Sequence, residues 1–144
     1  MIYFLDSSAL VKRYLREPGT DLVESLFRRR RSIAASRIAF AEVAATLARS
    51  TRDRRTTSAQ RDEQLQRLAT DFEQFTVVEA RRALIDRVPV LVSRQALRAY
   101  GAIQLLSGKA AMDGGTLEFW TADDLLAECA EAEGLRVARL PGAS

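Results

Sequence analysis

Asp6, Glu42, Asp123 and Asp124 are the side chains whose type and placement could do chemistry. Asp6 follows Ile2-Tyr3-Phe4-Leu5, a run of β-forming residues that reads as a buried strand ending in a carboxylate. Asp123 and Asp124 follow Leu117-Glu118-Phe119-Trp120-Thr121-Ala122, a second strand with the same ending. Glu42 interrupts Ile38-Ala39-Phe40-Ala41-Glu42-Val43-Ala44-Ala45, where an ionised carboxylate is costly without a cation or donors. Carboxylates gathered in one cleft repel each other and raise their own pKa values, and a divalent cation reverses that penalty. Oxygen donors without His or Cys select Mg²⁺ or Mn²⁺. Such an ion activates water and stabilises the charge of a phosphodiester displacement. Plainer uses compete: Asp6 can be a helix N-cap, and Glu42 can be half of a buried ion pair with an arginine.

Composition narrows the chemistry. The chain has 144 residues and no histidine, which removes Ser-His-Asp and Cys-His systems and the usual zinc sites. Cys129 is the only cysteine, which excludes an internal disulfide and fits a cytoplasmic protein. No apolar run approaches the roughly 18 residues of a membrane span, and Met1 opens directly into a strand, so neither membrane insertion nor a signal peptide is expected. The 22 basic residues are all arginine except Lys12 and Lys109, against 19 acids. Arginine favours planar recognition of phosphate and carboxylate, although a coding bias gives the same excess. Arg28 to Arg31 reads as a solvated helix end.

The elements that must position the acids follow in order. A helix starts at Ser7 or Ser8, continues over Val11 to Glu17 and stops at Pro18-Gly19. Helices are expected from Thr20 to Phe27, Ile38 to Ser50, Ser58 to Phe75, Leu97 to Met112 and Leu125 to Glu133, with a segment interrupted by Pro89 over Ala80 to Val92. The Ile38 helix is apolar nearly all round and reads as buried. Short strands fit Ser32 to Ser36, Thr76 to Glu79 and Arg136 to Leu140. The alternation predicts one domain over residues 1–140, an α/β three-layer α/β/α sandwich with a mostly parallel five-stranded sheet and a frayed tail over 141–144. If the strands ending at Asp6 and Asp123 are neighbours, their carboxyl ends meet in one crevice. No glycine pattern of a nucleotide-binding loop is present. A phosphotransfer protein is disfavoured, because Ser8 and Glu79 stand where it needs further acids.

Ile2 to Lys12, Ala41-Glu42-Val43, and Thr121-Ala122-Asp123 with the later Gly134-Leu135 together resemble the PIN-domain nucleases, and in size and layout the VapC-type toxins of toxin–antitoxin pairs. The resemblance implies metal-dependent endonucleolytic cleavage of RNA. Asp6, Glu42 and Asp123, helped by Asp124, would ligate Mg²⁺ or Mn²⁺, and Thr121 would orient the acids. It also implies a small VapB-like antitoxin covering the cleft, and a homodimer. One departure matters. Gly101 stands where the family carries an acid, and Gln104 where it often carries a histidine. The expectation is therefore a nuclease with a weakened site; the alternative is a catalytically inactive PIN-fold module that binds RNA or a protein.

Overall fold

The computed structural model describes residues 1–143. Strands β1 (Ile2–Leu5), β2 (Ser32–Ser36), β3 (Thr76–Val78), β4 (Leu117–Thr121) and β5 (Arg136–Arg139) form one sheet in the order β3-β2-β1-β4-β5. Every neighbouring pair is parallel. Ile2 stands opposite Ser32 on one side and Leu117 on the other, so β1 is central. Side chains alternate faces along each strand. Tyr3, Leu5, Ile33, Ala35 and Trp120 join one apolar cluster, whereas Ile2, Phe4, Ala34, Leu117 and Phe119 join the other.

Helices cover both faces, as parallel strands require. On the first face lie α1 (Ser7–Leu10), α2 (Thr20–Arg28), α3 (Arg37–Arg52) and α4 (Ser58–Gln74), contributing Leu10, Val23, Leu47, Leu68 and Phe72. The short α5 (Arg82–Ile85), α6 (Val88–Arg94), α7 (Ala99–Met112) and α8 (Asp124–Ala132) serve the second, through residues such as Leu84, Leu91, Leu105 and Leu126. The three-layer α/β expectation holds, with an entirely parallel sheet. Residues 141–143 carry no regular structure, and Ser144 lies outside the described residues.

Local departures from the sequence reading have physical causes. The helix after Asp6 does not run to Glu17. It ends at Leu10 and tightens into a 3-10 turn over Val11–Arg13. The buried Lys12 ammonium donates to Glu17 at 2.9 Å, and the Thr20 hydroxyl donates to the Lys12 carbonyl at 2.8 Å. Both contacts fold the chain back, with Gly19 in the left-handed region at φ 95°. Pro89 sits in the first turn of α6, where its missing N–H costs nothing. The α3 helix is not buried all round: Ala41, Ala45 and Arg49 are exposed and Glu42 is half-buried. Alanines gave that face an apolar look, yet they line an open cleft.

Candidate active site

The strand order reverses between β1 and β4, which is where an open α/β sheet leaves a crevice beyond its carboxyl ends. Asp6 ends β1 there. Its N–H reaches the Trp120 carbonyl at 3.2 Å, extending the pairing by one residue, and its carboxylate caps α1 by accepting from Ala9 N–H at 2.9 Å. The cap and the site are thus the same residue. Hydroxyls complete its surroundings: Thr121 Oγ1 donates to Oδ2 at 2.5 Å and Ser8 Oγ to Oδ1 at 2.7 Å. Asp123 caps α8 by accepting from Leu126 N–H at 3.1 Å, and its own N–H donates to Thr121 Oγ1 at 3.0 Å. Thr121 therefore bridges the strand ends, and Ser8 adds a second tie by accepting from Ala122 N–H at 2.9 Å.

Charge follows from burial. Asp6 is 3% exposed. Burial pushes its carboxyl up to about 6, the hydroxyl and amide donors hold it down in part, and the Asp123 charge adds to the rise. Glu42 enters from α3. Gln104 Nε2 donates to its Oε1 at 3.1 Å and to Ser7 Oγ at 3.2 Å. Partial burial raises the Glu42 carboxyl, while donation from Ser7 and Gln104 opposes the rise. No arginine pairs with Glu42 among the described residues, so the ion-pair reading of this position fails. Tyr100 reports on the whole group. Its phenol is raised by burial first, then by the charges of Glu42, Asp6 and Asp123. Glu42 lines one cavity with Ser7, Ser8 and Tyr100, a tyrosine that sequence reasoning assigned to packing, and Ser8 in turn donates to Asp6.

The remaining positions differ. Asp124 is exposed as the first residue of α8, and its charge acts on Arg139. Gly101 is buried one helical turn before Gln104 on α7. A β-carbon there would meet only Leu97 Cδ2 at 3.4 Å, an ordinary contact, so the position has room for a β-carbon. Among the described residues no three His, Cys, Asp or Glu side chains come close enough to hold a metal ion together. Asp6 and Asp123 are linked through Thr121 and the Asp123 charge acts on Asp6, and magnesium-sized ions are commonly held by one or two carboxylates with water and substrate oxygens completing the shell. The buried Gln104 Oε1 has no hydrogen-bond partner, leaving one more oxygen acceptor beside Glu42. The donor set fits one hard cation rather than a caged pair. Tyr100 and Ser7 were not legible as site residues, and Gln104 stood out only through the resemblance: it meets Ser7 and Glu42 across 97 and 62 positions of chain, and no local pattern encodes that meeting.

No family model matches the sequence, and no curated protein matches it. Solved structures do. PAE2754 from Pyrobaculum aerophilum superposes with a TM-score of 0.67 at 20% identity, covering 95% of this chain and 83% of that one. FitAcB from Neisseria gonorrhoeae gives 0.65 at 16% identity, over 95% of this chain and 96% of that one. VapBC2 from Rickettsia felis, solved bound to a DNA fragment from their promoter, gives 0.62 at 13% identity, over 97% and 99% of the two chains. At these identities the likeness establishes architecture alone: the chain has the PIN-like α/β fold that these structures share.

Proposed function

We propose that this protein is a toxin-like RNA endonuclease that depends on Mg²⁺ or Mn²⁺ and works with one weakly held cation. The observation that carries the reading is that Thr121 bridges Asp6 and Asp123 where the strand order reverses, while Gln104 ties Glu42 to Ser7 beside them. Asp6 and Asp123 would hold the ion. When bound, it supplies charge neutralisation at the scissile phosphate and acidifies water. Thr121 and Ser8 keep the Asp6 oxygens aimed and ionised by donating to them. Glu42, fixed by Gln104 and open to the cleft, is placed to take a proton from the attacking water. Gly101 would leave α7 without the acid that the resemblance expects there, and the ion would be held weakly for that reason. VapBC and FitAB neighbours are toxin–antitoxin complexes, which supports a small VapB-like antitoxin as partner here.

Cleavage of a single-stranded RNA in Mn²⁺ tests this. Activity is expected to vanish in chelator and to fall at least roughly 100-fold in Asp6→Asn, since even an outer partner of a metal site is worth 10–100-fold. Cleavage indifferent to both changes would contradict the proposal. The lack of a three-carboxylate group favours one second reading, an inactive PIN-fold module that binds RNA or a protein. It is distinguished by RNA binding without cleavage in any divalent cation, in the wild type and in Gly101→Asp alike.

A further inference from the structure

The cleft does not end at the acids. Glu42 and Tyr100 line a cavity of about 330 Å³ that also has Thr46 and Arg49 in its wall. Thr46 and Arg49 line the next cavity as well, about 460 Å³, together with Arg16 and Arg55. The two spaces adjoin as a groove along α3, with Thr46 and Arg49 in the walls of both. Glu42, Thr46 and Arg49 stand at i, i+4 and i+7, on one face of the helix and roughly 10 Å from end to end. Glu42 lies at one end, and the other carries Arg16, Arg49 and Arg55 with Glu17 and Asp53, of which Arg16 is paired with Asp21 and Glu17 with Lys12. Arg49 and Arg55 are exposed, and among the described residues neither pairs with a carboxylate. Arg13, Arg37, Arg94 and Arg139 are each committed to one. The helix dipole welcomes a cation in the last turn of α3, which accounts for a charge near Arg49 but not for its seat in the groove wall.

We propose that this groove holds the phosphates of a single RNA strand beside the bond to be cut, with Arg49 and Arg55 as positioning residues. The inference rests on the endonuclease reading. Arginine forks suit phosphate oxygens, and spacing them along a groove fixes the register of a strand without reading its sequence. Tyr100 is 47% exposed at the acid end, where its ring is available to stack on an unpaired base. A duplex keeps its base faces covered, so the arrangement selects single-stranded RNA.

Fluorescence anisotropy with a labelled single-stranded RNA in chelator, read across a salt series, tests binding apart from cleavage. Counterion release changes log K against log salt by about 0.7 per phosphate contact on a single strand, so Arg49→Ala with Arg55→Ala is expected to lower the slope by about 1.4. Arg28→Ala with Arg29→Ala, which removes the same charge outside the groove, is expected to change it little. Tyr100→Ala is expected to weaken binding roughly tenfold, and Arg49→Lys to keep most of the slope. A groove variant that matches the Arg28/Arg29 variant, or a wild type that fails to bind RNA, would overturn the proposal. The two readings fail separately. Metal-dependent cleavage with unchanged slopes sinks the groove alone. Groove-dependent binding without cleavage, even in Gly101→Asp, sinks the nuclease alone.

Discussion

Asp6 has two duties that pull against each other. As an N-cap it must accept hydrogen bonds at the end of β1, and as a buried acid beside Asp123 it resists ionisation. Its carboxyl is raised from 3.8 to about 6, so the folded state holds the proton more tightly than the unfolded chain. The stability this contributes is complete below pH 3.8 and is lost as pH rises through about 6. Asp6→Asn removes that dependence. In metal-free protein the variant is expected to gain roughly 2 kcal/mol relative to wild type between pH 4 and pH 7, measured by denaturant unfolding at both pH values. A stability difference constant with pH would show that Asp6 is not buried as an acid. At this scale Asp6 and Asp123 were legible because a strand running into a carboxylate is a local signal, whereas Thr121 and Gln104 stood out only through the resemblance. Tyr100 was not legible, because an aromatic residue on a helix looks the same whether it packs or lines a cleft.

At the scale of elements, α7 carries a contrast between its glycines. A β-carbon at Gly101 meets only Leu97 at 3.4 Å, whereas at Gly108 it would lie 2.7 and 2.9 Å from the Phe119 ring. Gly101→Ala should gain helix propensity, about 1 kcal/mol, with no clash. Gly108→Ala should lose roughly 1–3 kcal/mol, because the ring stacked against Phe4 at 5.1 Å must move. Thermal unfolding of the pair reads both signs, and equal effects would refute the close approach of α7 to β4. The hydrophobic pattern placed α7 correctly, and nothing in it separates an open glycine from a crowded one. The early end of α1 was hidden for a related reason: the Lys12–Glu17 pair and the Thr20 cap that bend the chain are tertiary contacts laid over a helical pattern.

For the whole molecule, strand alternation made the parallel sandwich readable, but not the order β3-β2-β1-β4-β5. That order makes β1 and β4 neighbours and so creates the crevice. The arginine excess divides in the fold. Arg13 donates to Asp71 at 2.7 Å, the carboxylate that also accepts from Tyr14 at 2.7 Å, and so ties the turn after α1 to α4. Arg49 and Arg55 stay free in the groove. The proposed function requires that Asp6 and Asp123 hold one divalent cation and that Gly101 lowers affinity for it. Calorimetric titration of Mn²⁺ into wild type, Asp6→Asn and Gly101→Asp tests it most directly. The expected result is weak one-site binding by wild type, none by Asp6→Asn, and affinity raised at least roughly tenfold by Gly101→Asp. Equal binding by all three proteins, or by none, would contradict it.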